Sequence, residues 1–352
     1  VKPVKVLLVD GRPESLHLLS RILSHSAELA LVGTASTSSE ALEKALALQP
    51  DVILTDSKLP SLEGLEFVRQ VMNFLPRPIL VVDADISSPA LLGLLEAGAV
   101  EVFPRPNSGN PAQLEAQGRQ LVRRIQALSR VRVLRRPLPA APCEAGPPVP
   151  ESAGCPPEMI VIGASTGGPL ALVEMVTALP ADFPVPLLCV QHISPGFLAE
   201  LVGWLRSQCG LGVEIARDRE IPRPGMVYFA PEDCDLEVDE KRRLRLVGGG
   251  GSQHRPSIDV TMVSVARRYG PASVGILLSG MGVDGARGLR AIAAAGGRTF
   301  VQDEKSCAVF GMPGKAIEMR AAQKVLPPAE IARCLREISA AGAVVVNRVQ
   351  KV

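Results

Sequence analysis

Eight prolines crowd the stretch from Arg135 to Pro157: Pro137, Pro139, Pro142, Pro147, Pro148, Pro150, Pro156 and Pro157. The hydrophobic periodicity stops there, and Ala, Gly and Glu fill the gaps. Such a segment cannot bury a core and favours extended, semi-rigid chain. It splits the 352 residues into two folding problems, residues 1–130 and 158–352, joined by a linker over 131–157.

Both parts alternate strand and helix patterns. In the first, strand-like runs at Val4–Val9, Leu29–Ala35, Val52–Thr55, Ile79–Val82 and Val100–Phe103 are separated by helical spacing at Glu14–Leu23, Ser39–Leu48, Leu62–Phe74 and Pro89–Glu96. Ser38 or Ser39 is the expected cap of the second helix. A further helix, Gln113–Arg132, leads out of the domain. Five β/α units of this length predict one doubly wound, mainly parallel sheet of flavodoxin-like kind.

The second part predicts strands at Met159–Ile162, Pro186–Gln191, Val213–Ala216, Val274–Leu278 and Thr299–Val301. Helices are expected at Pro169–Leu179, Phe197–Ser207, Ser257–Tyr269, Gly285–Ala295 and Pro327–Ala341. The Gly- and Pro-punctuated region Gly225–Gly251 reads as hairpins. The expected fold class is therefore α/β, with two doubly wound domains.

Composition narrows the function. Hydrophobic residues make up 47%, enough for two cores, while the net charge of +2 leaves no basic tract for nucleic acid. No 18-residue apolar run appears, and the N-terminal apolar run is too short for a signal peptide. The expectation is a cytoplasmic protein with no membrane insertion. Seven cysteines, without C-x-x-C spacing, read as neither a disulfide framework nor a zinc site.

Ser165 lies in Val161-Ile-Gly-Ala-Ser-Thr-Gly-Gly-Pro169, where a strand pattern gives way to a helix. His192 and Asp284 follow two other strand-like runs. A hydroxyl becomes a useful nucleophile when a base takes its proton and a third group fixes that base. In an open parallel sheet, strand ends of this kind share one crevice. The order Ser165, His192, Asp284 departs from the Ser, Asp, His order of α/β-hydrolases. Taken singly, the loop also suits a phosphate, His192 a packed strand-end histidine, and Asp284 a helix cap.

The flanking sequence decides between these readings. Gly163-Ala-Ser-Thr-Gly-Gly-Pro169, Gln191-His192, His254-Arg-Pro-Ser-Ile-Asp259, Leu278-Ser-Gly-Met-Gly-Val-Asp-Gly-Ala286 and Val309-Phe-Gly-Met-Pro313 resemble the chemotaxis protein-glutamate methylesterases. That family joins a response-regulator receiver to a C-terminal esterase, and the resemblance spans almost the whole chain. It implies nucleophile Ser165, base His192 and orienting acid Asp284, with oxyanion support near Thr166 and from Met281. It also implies hydrolysis of glutamate γ-methyl esters on chemoreceptors, releasing methanol through an acyl-enzyme, and deamidation of receptor glutamines. No cofactor is expected for that catalysis. Cys234-Asp-Leu236 departs from the family, which usually has a histidine before the leucine.

The same resemblance makes residues 1–130 a receiver-like regulatory domain and 158–352 the catalytic domain. A working receiver holds Mg²⁺ on an acidic pair, phosphorylates an aspartate from a histidine kinase, and completes the site with a Ser/Thr and a Lys. Asp56 matches the phosphoacceptor and Asp10 the first metal acid. Gly11 replaces the second acid, Asp83 the hydroxyl residue and Arg105 the lysine. The reading is a degenerate site with weak or absent phosphorylation, in which Asp83 could supply a replacement metal oxygen and Asp56 could be an inert, solvated carboxylate. The alternative for the whole chain is a non-catalytic signalling scaffold retaining an esterase fold. A nucleotide-binding protein fails for want of a Walker lysine or a ribose-binding acid.

Overall fold

A computed structural model describes residues 2–59, 64–88, 90–107, 110–131, 133, 155–248 and 255–349. The linker prolines up to Pro150, and His254, lie outside the described residues. The chain divides into two compact units, one formed mainly by the N-terminal half and the other by the C-terminal half.

The N-terminal unit runs β1 (Val4–Val9), α1 (Pro13–Ser24), β2 (Leu29–Ala35), α2 (Ser38–Leu48), β3 (Val52–Thr55), α3 (Gly64–Phe74), β4 (Ile79–Asp83), α4 (Ala90–Glu96), β5 (Glu101–Pro104) and α5 (Pro111–Leu128). Its five strands pair in the order β2-β1-β3-β4-β5, all parallel. The buried runs Val6–Val9, Val52–Leu54 and Ile79–Val82 explain why these strands read as continuously apolar: helices cover both faces of the sheet.

Capping differs from expectation at α2. Thr37, not Ser38 or Ser39, is the cap, its hydroxyl accepting from Glu40 N–H at 3.3 Å. Glu40 reaches back to accept from Ser36 N–H at 2.8 Å, tying the helix start to the residue before its cap. Asn110 caps α5 with Pro111 in the first turn, which moves that helix two residues earlier than the periodicity suggests.

The C-terminal unit contains β6 (Met159–Ala164), α6 (Gly168–Thr177), β7 (Leu187–Gln191), α7 (Leu198–Gln208), β8 (Gly212–Ile215), β9 (Met226–Phe229), β10 (Asp235–Val238) and β11 (Leu244–Val247). It continues with α8 (Ile258–Tyr269), β12 (Ser273–Leu277), α9 (Ala286–Ala294), β13 (Arg298–Gln302), α10 (Met312–Glu318), β14 (Lys324–Leu326) and α11 (Pro328–Val349). Seven strands form one parallel sheet in the order β14-β13-β12-β6-β7-β9-β8.

Along β6 the side chains alternate between two cores. Ile160, Ile162 and Ala164 join Leu172, Leu201 and Leu335 on one face, while Met159 and Val161 join Met262, Leu289 and Met312 on the other. Among the described residues the expected hairpins reduce to one, β10–β11, and β9 instead inserts as a parallel strand between β7 and β8. Among the described residues no helix is long and apolar enough to cross a membrane.

The order of strands fixes where a site can lie. Strand β6 is central: the chain leaves it to build β7, β9 and β8 on one side and later returns to build β12, β13 and β14 on the other. Ligands bind outside the carboxyl ends of strands where the winding direction reverses. Ser165 follows β6 at that point.

Candidate active site

The sheet register brings Ser165 and His192 together. Ala164 pairs with Gln191 as the last residues of β6 and β7, so Ser165 and His192 are the next residues of the adjacent chains. His192 N–H donates to Ala164 O at 2.9 Å, which carries the ladder one step past the strands. Ser165 N–H donates to Ser279 O at 3.0 Å, tying the serine to the loop after β12 as well.

After Ser165 the chain turns sharply into α6. Gly168 N–H closes the turn onto Ser165 O at 2.7 Å, and Gly167 sits at φ +74°, in the left-handed region. A Cβ on Gly167 would lie 2.4 Å from Ala308 Cβ, so a side chain there fails on both counts. Gly280 serves by close approach instead. A Cβ there would stand 2.8 Å from Ser165 Cβ, so the Gly280-Met281 backbone runs directly against the serine.

A polar brace holds the loops. Gln191 Nε2 donates to Ser165 O at 2.9 Å and to His192 O at 2.8 Å. The Ser279 hydroxyl donates to Thr166 O at 2.8 Å and accepts from Val309 N–H at 2.9 Å, while Gln302 Oε1 accepts from Ser279 N–H at 2.7 Å. Ser165, Thr166, Gln191, Ser279 and Gln302 are all buried. The sequence reading missed Gln191, Ser279 and Gln302 as a group, although Gln191 and Ser279 lie inside the motifs it quoted.

Asp284 meets the imidazole. His192 Nε2 lies 3.0 Å from Asp284 Oδ2. The carboxylate also accepts from Ile258 N–H at 2.8 Å, Asp259 N–H at 3.0 Å and the Ser257 hydroxyl at 3.1 Å. These donors form the N-terminus of α8, where free N–H groups and the helix dipole favour an anion. Ser257 in turn donates its N–H to buried Asp235 at 2.7 Å, so the departure at Cys234-Asp-Leu236 contributes a second layer of support.

Burial alone would oppose charge on Asp284. The His192 bond and the α8 amides outweigh it and hold the carboxyl at about 2, well below its usual range. An ionised carboxylate only accepts hydrogen bonds, so the ring proton of His192 belongs on Nε2. That leaves the lone pair on Nδ1.

The acidic positions of the N-terminal sheet gather too. Asp10 follows β1, Asp56 follows β3, Asp83 ends β4 and Arg105 follows β5; the three carboxylates are buried. Asp56 is thus not the solvated carboxylate the sequence allowed. Arg105 Nη2 lies 2.6 Å from Asp56 Oδ1 and 3.4 Å from Asp10 Oδ2. Arg12, which sequence reasoning passed over, places Nη2 3.0 Å from Asp56 Oδ1 and Nε 3.4 Å from Asp10 Oδ1.

Asp83 turns elsewhere: its carboxylate accepts from the Ser57 hydroxyl and from Asp85 N–H. Burial, with Asp10 and Asp83 nearby, raises Asp56 to about 6 against the pull of Arg12. Among the described residues no group of three or more His, Cys, Asp or Glu is arranged to hold a metal ion. A Mg²⁺ ion does not fit this arrangement, because guanidinium groups hold Asp56 Oδ1 and both oxygens of Asp10.

Comparison with known proteins agrees with this division. The family described as CheB methylesterase matches residues 160–335, and the response regulator receiver domain matches residues 6–117. A protein-glutamate methylesterase/protein-glutamine glutaminase 3 of Hahella chejuensis is 39% identical over 342 residues, covering 95% of this chain and 98% of the relative. A similarly named protein of Methanospirillum hungatei is 38% identical over 96% of this chain and 98% of its own length. The crystal structure of the CheB methylesterase catalytic domain of Thermotoga maritima matches with a TM-score of 0.50 at 36% identity, covering 52% of this chain and 98% of that one.

Proposed function

The chain belongs to the protein-glutamate methylesterase family, a CheB methylesterase domain preceded by a receiver domain, and from that premise we propose that Ser165, His192 and Asp284 hydrolyse glutamate γ-methyl esters on chemoreceptors. One observation carries the assignment of residues. An imidazole bonded to a largely buried, ionised carboxylate stands one residue beyond the register pair Ala164–Gln191, opposite a serine held on a sharp strand-to-helix turn.

In this reading His192 Nδ1 takes the proton of Ser165 Oγ as the oxygen attacks the ester carbonyl. The Ser165–acyl bond forms, and the carbonyl becomes an oxyanion within reach of backbone N–H groups near Thr166 and Met281. The imidazolium, stabilised by Asp284, then returns its proton to the departing methoxide. Methanol leaves and a glutamyl-Ser165 acyl-enzyme remains. Water, deprotonated by His192, releases the free carboxylate and regenerates the serine. An amide undergoes the same acyl transfer with ammonia leaving, so receptor glutamines are a second substrate class. Each proton in these steps has a donor and an acceptor on this chain or substrate, so the mechanism calls for no cofactor.

A non-catalytic scaffold has no use for an aspartate held ionised against an imidazole, which disfavours that alternative. The partners that follow are a methyl-accepting receptor for the esterase domain and a signalling protein such as a histidine kinase for the receiver. Methanol release from methylated receptor fragments tests the proposal. The native chain should release methanol and the Ser165→Ala chain should not; equal release by both would refute it.

A further inference from the structure

Receivers of the ordinary kind need a divalent cation because the phosphoryl group and the acceptor carboxylate repel each other. Here the chain supplies its own positive charge at that place. Arg105 is nine-tenths buried, and its Nη2 is anchored by Val82 O at 3.1 Å besides Asp56 and Asp10. Arg12, half exposed, meets the same Asp56 Oδ1, and its backbone N–H also donates to Asp10 Oδ1 at 2.9 Å. Ser15 donates to the other Asp10 oxygen at 2.5 Å. Both metal-facing carboxylates are therefore already hydrogen-bonded.

We infer that Arg12 and Arg105 take the place of the divalent cation in the receiver, so that its acidic pocket is neutralised by the chain itself and Asp56 is held out of phosphoryl transfer. The charges support the exchange. Two guanidinium groups carry the same charge as one Mg²⁺, and Gly11 offers no carboxylate to recruit another. Mg²⁺ demands near-octahedral oxygen ligands at about 2.0 to 2.1 Å. It could reach Asp56 Oδ1 only by displacing Arg105 from a buried contact. A single nitrogen of Arg105, Nη2, faces Asp56 Oδ1, Asp10 Oδ2 and Val82 O together, so the positive charge lies between the two carboxylates where a cation would otherwise sit. The inference concerns the receiver alone and stands or falls independently of the esterase assignment.

The test uses the full chain with Mg²⁺ or Mn²⁺ as the probe, read by thermal shift, and acetyl phosphate with Mg²⁺, read by intact mass and peptide mapping. The native chain should show no cation-dependent rise in melting temperature at millimolar Mg²⁺ and no phosphate on Asp56. Arg12→Ala, a change at a half-exposed side chain, and Arg12→Ala combined with Arg105→Lys, which keeps a cation in the pocket, should regain a saturable response to Mg²⁺. Circular dichroism checks that both variants are folded. Stoichiometric, Mg²⁺-dependent modification of native Asp56 would overturn the inference. So would folded variants as indifferent to both cations as the native chain.

Discussion

Asp284 and Asp56 both lie beyond the C-terminal ends of parallel strands and largely out of solvent, yet their surroundings treat charge in opposite ways. Asp284 receives neutral backbone donors from the start of α8 and one imidazole, and its pKa falls to about 2. Burial raises the pKa of Asp56 to about 6, with Asp10 and Asp83 adding to the rise against the pull of Arg12. The first arrangement fixes a carboxylate as a permanent anion facing a base. The second closes a cluster of charges on itself. Similar crevices on similar sheets thus do different work, according to which groups surround the acid.

The largest expected effect separates the two regions by activity. Ser165→Ala or His192→Ala should lower methanol release by on the order of 10⁴-fold or more, and the double variant should lose no more than the worse single one. Asp56→Asn removes no group from the proposed chemistry and should leave the turnover of the esterase site far above those variants. A comparable collapse in Asp56→Asn would break the division.

Next comes geometry without chemistry. Gly280→Ala adds only a methyl group, but it would press on Ser165 Cβ and on Met312 Sδ, 2.4 Å away. Met312 can move its flexible end, whereas the serine cannot shift without losing alignment. A drop of about 10²-fold in kcat, with the melting temperature little changed, is expected for a displacement of this size.

Charge removal should weigh on stability in the receiver. Arg105→Ala leaves buried Asp56 and Asp10 with one guanidinium between them, at an expected cost of about 3 to 5 kcal/mol in denaturant unfolding. A loss below about 1 kcal/mol would mean that Arg105 is not the main counter-ion.

The pH dependence gives opposite signs. Asp284 has a folded pKa below its unfolded value of 3.8, so its contribution is present above that value and is lost as pH falls toward about 2; the shift corresponds to about 2 kcal/mol. Asp56 has a raised pKa, so its contribution is present below 3.8 and lost as pH rises through about 6. Comparing each Asn variant with the native chain in unfolding titrations from pH 2.5 to 7 should show the two differences sloping in opposite directions. The smallest effect is expected from Ser257→Ala, about 1 kcal/mol from a lost helix cap and one carboxylate contact.

Much of this was readable from sequence because the signals were local. Continuous apolar runs ending in Asp10, Asp56, Ser165 and His192 mark strands buried on both faces, and the linker prolines mark the division. What escaped was non-local or short. Strand β9 looks like part of a hairpin because its neighbours β7 and β8 are decided by the sheet, not by the adjoining turns. Three-residue β14 and seven-residue α10 are too brief for a periodic pattern. Arg12 reads as a surface residue before a proline, and only the folded strand ends show that it reaches Asp56. Gln191, Ser279 and Gln302 likewise resemble ordinary strand-end polar residues until their hydrogen bonds are traced.

Labelling of the native chain with a serine-reactive fluorophosphonate, located by peptide mass spectrometry, tests the catalytic assignment most directly. Ser165 should be the modified residue, and the label should vanish in folded His192→Ala and weaken strongly in Asp284→Asn. A native chain left unlabelled at Ser165, or equal labelling with and without the imidazole, would contradict the account.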